Sequence, residues 1–243
     1  MTNEQKLASA ADQLRSDGYT VVEDLISGER LERARRDAEA LMERTPIQMP
    51  GVSGPVHGRM CKELFSKSRA FDDLYCNELV LGIVNEILGE STSNANMWGG
   101  LSQLSGTMLK DVVPAESARG FHRDDVLYPI PRPHPPLVIN TLLALDPFTK
   151  DTGATWVVPK SHTWDCPIDQ ETSYEVMEMN PGSMLLIDGG LWHTNGVNTT
   201  TTQHRKALNM YYSCRWLKPI AGFNLGLPDH AVSELDAPLR AIL

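Results

Sequence analysis

The first 90 residues carry apolar side chains at helical spacing, interrupted once by a strand-like segment. The predicted elements are a helix at 4–16, a strand at 18–22, a helix at 29–44 and a helix at 70–88. In the second helix, Leu31, Ala34 and Ala38 recur at three- and four-residue intervals behind Ser27, a residue type typical of a helix N-cap. The pattern therefore predicts a helical part, about residues 1–90, whose apolar stripes pack against a sheet.

From residue 96 onward the pattern changes to short β-type runs separated by glycine, proline and aspartate. The predicted strands lie at 106–113, 137–145, 154–159, 183–187 and 205–217. Helices first and many strands afterwards favour a mainly β fold, a sandwich or jelly roll with N-terminal helices, because an α/β fold would alternate its strands and helices. We expect one domain over residues 1–243, with a jelly-roll core at about 94–218.

Residues 46–58 contain three prolines and three glycines between two helical patterns. This composition predicts a long surface loop. Both a lid over a binding site and a plain connection are compatible with it. His57 lies in this loop, where a lid would approach a metal.

The net charge and the spacing of the cysteines limit the classes of protein to which this chain can belong. The 22 basic against 31 acidic residues give a net charge of −9, which opposes phosphate-backbone binding, so no nucleic-acid partner is expected. The start of the chain lacks the pattern of a secretory signal, and no run of about 18 apolar residues suggests a membrane helix, so we expect a cytoplasmic protein. The four cysteines form no CxxC pair, which disfavours a zinc site or a disulfide scaffold. The sequence does not indicate the oligomeric state.

His122 and Asp124 lie two positions apart in the segment Phe-His-Arg-Asp-Asp. On a strand, alternate side chains point to the same face, so this imidazole and this carboxylate can share one metal ion. The same spacing is common in surface polar pairs and becomes informative only with a third ligand. Asp125 is the alternative carboxylate, but the two-residue period favours Asp124.

His193 supplies a third ligand, shortly after the apolar run at 184–187. We expect it at the start of a strand. Two imidazoles and one carboxylate form a facial triad, which leaves coordination positions for a bidentate cosubstrate and O2. This donor set favours Fe(II), since a structural zinc site needs four ligands to fill its shell. His122, Asp124 and His193 are therefore the predicted metal ligands and catalytic centre.

Arg205 follows His193 by twelve residues, at the start of the last predicted strand. A guanidinium can bind the far carboxylate of a dicarboxylic acid while the other end of that acid chelates the metal. The two-residue period places Ala207, Asn209 and Tyr211 on the face of Arg205, and it places apolar residues on the opposite face.

The chain resembles the phytanoyl-CoA dioxygenase-like (PhyH) family of Fe(II)/2-oxoglutarate-dependent oxygenases over about residues 8–218. The segments that carry the resemblance are DGYTVVEDL at 17–25, HRDD at 122–125, DTGATWVVPKSH at 151–162, and His193 with Arg205. The resemblance implies a double-stranded β-helix, which is a cupin-like jelly roll. It also implies that His122, Asp124 and His193 bind iron, that Arg205 binds 2-oxoglutarate, and that Thr155 contacts the same cosubstrate.

The chain departs from the family pattern at two positions. Arg119 stands where many relatives carry glutamine, which leaves its contact with cosubstrate or substrate open. Lys160 stands where relatives usually carry glycine, in a turn that should not touch the metal. His162, in the same turn, is interpreted as a structural histidine, and His57, His134, His204 and His230 are expected to be solvent-exposed.

Three further residues are candidates for contact with substrate. Asn140 is polar in an apolar strand, so its amide either touches substrate or cosubstrate or bonds to neighbouring backbone. Asn209 shares the face of Arg205, and Trp192 is a candidate wall of the pocket, although aromatic residues on strands are commonly core.

The expected activity is oxidation of a C–H bond of a small molecule, such as a secondary metabolite, with Fe(II), 2-oxoglutarate and O2. Hydroxylation, desaturation and cyclisation are all compatible with this chemistry, and the sequence does not choose among them. The alternative hypothesis is a cupin-like metal-binding or sensor protein without turnover. A structural interaction domain with an accidental H-x-D would take up no metal.

Overall fold

The computed structural model describes residues 2–47, 58–118, 120–221 and 232–243. The helices are α1 (Asn3–Asp17), α2 (Gly28–Met42), α3 (Asp72–Tyr75), α4 (Glu78–Leu88), α5 (Ala95–Trp98) and α6 (Ala237–Ala241). The strands are β1 (Tyr19–Val22), β2 (Arg59–Lys62), β3 (Ser102–Val112), β4 (Val138–Ala144), β5 (Thr155–Val157), β6 (Glu175–Met177), β7 (Met184–Asp188), β8 (His193–Asn195) and β9 (Arg205–Cys214). Among the described residues, no helix has the length and apolar content needed to cross a membrane.

Two antiparallel sheets form the β part of the fold. The major sheet has the order β1-β7-β4-β9-β3-β2, and the minor sheet has the order β6-β5-β8. His122 extends the minor sheet through an isolated bridge to His193. Strands that are distant in sequence are neighbours in both sheets, as in a jelly roll.

Each face of the major sheet has its own apolar core. One core joins the helices to the sheet and includes Leu208, Met210 and Tyr212 of β9. The other lies between the two sheets and includes Ala207 of β9 together with apolar residues of β4, β5 and β7. Alternate residues of β9 thus enter different cores, which confirms the predicted apolar face of this strand and turns Arg205 and Asn209 toward the minor sheet.

The predicted helix at 70–88 is two helices, because Asn77 interrupts it. The Asn77 side chain accepts hydrogen bonds from the backbone N–H groups of Leu79 and Val80 and so caps α4. The helical part also contributes β1 and β2 to the major sheet, so the strands begin well before residue 94. That the chain forms one domain, with a helical part at about 1–90 and a jelly-roll core at about 94–218, stays a prediction. The proposed lid at 46–58 lies mostly outside the described residues.

Candidate metal centre

His122, Asp124 and His193 meet at one end of the space between the sheets. One ligand atom from each residue lies within 4.8 Å of the others. His122 Nε2 is 3.7 Å from Asp124 Oδ1, and His193 Nε2 is 3.5 Å from Asp124 Oδ2. The His122 side chain is 48% exposed, whereas that of His193 is 6% exposed. One side of the cluster is therefore buried, and the other is open to a ligand.

Backbone hydrogen bonds hold these residues in register. His122 and His193 each donate an N–H group to the carbonyl of the other, and both bonds measure 3.0 Å. The N–H of Asp124 donates to the carbonyl of Gly189 at 2.8 Å. Asp124 begins a 3₁₀ helix and does not lie on a strand, so the predicted strand geometry holds for His122 alone. The carboxylate nevertheless faces both imidazoles, since Gly189 fixes the start of that turn.

The imidazoles are oriented by their Nδ1 atoms. His193 Nδ1 lies 3.0 Å from the Leu191 carbonyl, and His122 Nδ1 lies 3.3 Å from the Gly120 carbonyl. A carbonyl can only accept, so Nδ1 carries the proton and Nε2 keeps its lone pair for a metal. Although the His122 side chain is half-exposed, desolvation of its ring within the cluster lowers its pKa, and the nearby His193 lowers the pKa further, which favours the neutral form that binds metal.

Asn140 supports the carboxylate. Its Nδ2 donates to Asp124 Oδ2 at 2.7 Å, and its Oδ1 accepts a hydrogen bond from Asn209 Nδ2. Asn209 Nδ2 also donates to the Thr141 carbonyl at 2.9 Å. Asn140 and Asn209 thus form a chain of amides behind Asp124, a position that orients a metal ligand. Their predicted contact with substrate stays a prediction.

Arg123 and Asp125 flank the carboxylate but face away from the two histidines. Arg123 Nη2 donates to the carbonyls of Ser161 and Trp164, and its guanidinium lies 4.6 Å from the centroid of the Trp192 ring. Asp125 forms an ion pair with Arg132. Through these contacts, both residues hold the segment that carries His122 and Asp124 against neighbouring loops.

The other described histidines do not join the metal cluster. His134 is not exposed as expected: its side chain is 7% exposed, with Nε2 3.5 Å from the buried carboxylate of Asp125. His204 is partly buried beside Asp111. His162 lies in a 3₁₀ turn and contacts the Arg15 carbonyl at 3.1 Å, away from the cluster. Arg119, His57 and His230 lie outside the described residues.

Arg205 and Thr155 lie inside the space between the sheets. The Arg205 side chain is fully buried, and its guanidinium lies 4.2 Å from the centroid of the Phe148 ring. Thr155 is 2% exposed on β5 and is the Cα partner of Asn195 on β8. Asn195 lies two residues beyond His193, so both side chains point to the same face of β8. A dicarboxylic acid can therefore run from the three ligands into this interior.

Sequence reasoning missed Lys110 and Asn195. Lys110 Nζ donates to Asn195 Oδ1 at 2.7 Å. Because Asn195 is on the minor sheet, this bond shows that Lys110 points from β3 into the space between the sheets. The signal in the sequence was a charged residue inside the predicted strand at 106–113.

The chain is similar to known dioxygenases along most of its length. The sequence profile of the phytanoyl-CoA dioxygenase (PhyH) family matches residues 14–207. The multifunctional dioxygenase prhA of Penicillium brasilianum is 30% identical over 93% of this chain and 80% of its own length. The multifunctional dioxygenase ausE of Emericella nidulans is 26% identical over 94% and 80%.

Solved structures show the same fold at lower sequence identity. The α-ketoglutarate-dependent epimerase SnoN from nogalamycin biosynthesis aligns with a TM-score of 0.71 and 15% identity, over 86% of this chain and 81% of its own. The carbocyclase SnoK from the same biosynthesis aligns with a TM-score of 0.69 and 16% identity, over 88% and 86%. The double-stranded β-helix predicted from the resemblance is thereby confirmed.

The family match and the dioxygenase relatives support an enzyme over the alternative of a metal-binding or sensor protein without turnover. The chain belongs to the phytanoyl-CoA dioxygenase family, and it is a non-heme iron dioxygenase that uses 2-oxoglutarate.

Proposed function

We propose that this dioxygenase oxidises a C–H bond of a small apolar metabolite, with iron bound by His122, Asp124 and His193. The convergence of these three side chains carries the proposal. Their donor set suits Fe(II), because two neutral imidazoles and one carboxylate leave open positions for a chelating cosubstrate and O2. The carbonyl contacts of both Nδ1 atoms and the Asn140 contact with Asp124 support the same assignment.

Iron, 2-oxoglutarate and O2 together supply the oxidation: the keto acid becomes succinate and CO2, and one substrate C–H bond is oxidised. The chain positions the reactants. Arg205 binds the far carboxylate of the cosubstrate, and Thr155 contacts the same molecule from β5. The apolar core between the sheets excludes water from this interior.

The apolar character of the substrate rests on the surface beside Asp124. Val126 and Leu127, two and three residues after Asp124, are 67% and 61% exposed. Exposed apolar side chains next to a metal ligand suit an apolar molecule that approaches from the open side of the cluster. Trp192 is retained as a candidate substrate contact. SnoN and SnoK, from nogalamycin biosynthesis, share the fold and support a secondary metabolite as the substrate class.

The test is succinate formation from 2-oxoglutarate with Fe(II) in air, screened against a panel of small apolar metabolites. We expect one class of metabolite to stimulate succinate formation and to gain an oxygen atom or lose two hydrogen atoms. Mass spectrometry identifies the product. If no apolar metabolite stimulates turnover and a polar or nucleotide-linked compound does, the proposed substrate class is wrong.

A further inference from the structure

Tyr211 lies on β9 at the inner face of the major sheet, and the mechanism above gives it no part. Its side chain takes the same face as that of Asn209, because alternate residues of a strand point the same way. Its Cα partner on β4 is Asn140, which donates a hydrogen bond to Asp124. Tyr211 therefore lies directly beside the residue that supports a metal ligand.

The hydroxyl group of Tyr211 makes no hydrogen bond to any residue that the structure describes. Two nearby tyrosines differ: Tyr212 donates to the Tyr75 carbonyl at 2.8 Å, and Tyr128 donates to the Lys218 carbonyl at 2.9 Å. Tyr211 as a whole is 8% exposed, but its oxygen is not among the enclosed polar atoms that lack a partner. The ring is therefore buried, while its hydroxyl group opens onto accessible space.

The hydroxyl group of Tyr211 is also within electrostatic reach of the metal centre. Burial raises the pKa of the Tyr211 phenol, and the carboxylate of Asp124 raises it further. A tyrosine keeps its proton at neutral pH in any case, so the phenol is a hydrogen-bond donor next to the metal ligands.

Two segments border this space with apolar side chains. Residues 126–130 follow Asp124, and residues 216–220 follow β9; each segment packs side chains against the apolar cluster that contains Tyr211. The hydrogen bond from Tyr128 to Lys218 joins the two segments. Their outer apolar side chains are exposed, with values of 67% for Val126, 61% for Leu127 and 52% for Ile220. The approach to Tyr211 is therefore apolar on both sides.

Gly106 leaves room above Tyr211. It is the Cα partner of Tyr211 on β3 and is partly exposed. A Cβ atom at this position would lie 3.6 Å from Tyr211 Cβ and 4.0 Å from Ile220 Cβ, and apart from its chain neighbours no other described residue is closer. A molecule that enters here meets apolar walls and one hydroxyl donor, the usual composition of a small-molecule site.

We propose that Tyr211 orients the substrate by donating a hydrogen bond to a carbonyl oxygen, so that the substrate is an apolar metabolite that carries a carbonyl group near the oxidised C–H bond. A single polar contact in an apolar site fixes how a molecule lies in it. This inference rests on the proposed function, and it narrows the substrate class from apolar metabolites to apolar metabolites with one oxygen acceptor beside the metal.

The test compares ligands that differ by one carbonyl group. The first pair is camphor and bornane, and a larger pair is androstanone and androstane. Dissociation constants are measured without O2 on protein loaded with Fe(II) and 2-oxoglutarate, from the change in visible absorption of the Fe(II)–keto acid chelate. The variants are Tyr211→Phe and the control Tyr174→Phe, which alters a tyrosine that is 44% exposed and stacks on Trp156. Trp156 follows the inward-facing Thr155 and so points away from the space between the sheets.

We expect Tyr211→Phe to weaken binding of the ketones about two- to tenfold, the loss of one neutral hydrogen bond, and to leave binding of the hydrocarbons unchanged. Thermal unfolding of this variant should match the wild type, because the hydroxyl group bonds to no described residue. Tyr174→Phe should change no constant. Gly106→Ala is a second variant, and its added methyl group should weaken both members of the larger pair.

Several results overturn the inference. Unchanged ketone affinity in Tyr211→Phe shows that the phenol does not bind the carbonyl, and equal losses for ketone and hydrocarbon show that the residue only shapes the site. Unchanged affinities in Gly106→Ala place the ligand elsewhere. None of these results contradicts the proposed function, which fails instead if neither ketones nor hydrocarbons bind the wild-type protein and no apolar metabolite stimulates succinate formation.

Discussion

Asn140 tests whether the amide chain behind Asp124 orients the metal ligand. Replacing Asn140 with alanine removes the 2.7 Å hydrogen bond to Asp124 Oδ2. A hydrogen bond to a charged group contributes about 1.5–3 kcal/mol, and loss of such a supporting contact typically lowers metal affinity about 10- to 100-fold. The two ranges agree, since tenfold in affinity is about 1.4 kcal/mol. We therefore expect the Fe(II) dissociation constant of Asn140→Ala to rise by about one to two orders of magnitude.

The side chain behind Asn140 provides a matched control. Asn209→Ala removes one donor to Asn140 but leaves the contact with Asp124, so the loss of Fe(II) affinity should be smaller than about tenfold. In Asn140→Ala, Asn209 loses the acceptor of one amide N–H but keeps the bond of the other to the Thr141 carbonyl. Anaerobic Fe(II) titration measures both variants, and thermal unfolding without metal checks their fold. Unchanged iron affinity with a raised KM for substrate would refute the orienting role and favour substrate contact.

Three further predictions concern the cosubstrate, the choice of reaction and the pH dependence of stability. Arg205→Ala should raise the apparent KM for 2-oxoglutarate about 10- to 100-fold with little change in iron affinity, and an unchanged KM would contradict the assignment. Asp124 occupies a position that halide would otherwise take, so mass spectrometry of turnover in high chloride should detect no chlorinated product, whereas a chlorinated one would refute this role of Asp124. Burial raises the pKa of Asp188 to about 7, so this carboxyl group binds its proton more tightly in the folded protein than in the unfolded chain. Stability should therefore fall as pH rises from about 4 to about 7, and Asp188→Asn should flatten this part of the melting-temperature profile; an unchanged slope would contradict it.

Because side chains alternate between the two faces of a strand, much of the fold and of the site could be predicted from the sequence. His193 begins a strand as expected, and β9 sends Leu208 to the helical core and Ala207 to the core between the sheets. A two-residue period determines which face of a strand a side chain takes, and this was enough to predict the face of β9 on which Arg205 lies. It does not explain the position of Asp124, which begins a 3₁₀ helix. The family resemblance supplied Thr155.

Features that depend on tertiary contacts escaped the sequence. The three-residue strand β6 is too short for a periodic signal, and it exists because β5 pairs with it. Asn140 meets Asp124 across a turn whose start is fixed by Gly189, a contact that no spacing encodes. His134 is buried by Asp125 and a proline-rich segment that looks like an exposed loop in the sequence.

The assignment of the iron ligands is tested most directly by anaerobic Fe(II) binding to His193→Ala, followed by succinate formation in air. His162→Ala is the matched control, since His162 contacts the Arg15 carbonyl and lies away from the cluster. The account predicts that His193→Ala loses most of its iron affinity and all turnover while remaining folded, and that His162→Ala keeps both. Wild-type iron affinity and turnover in His193→Ala would contradict it.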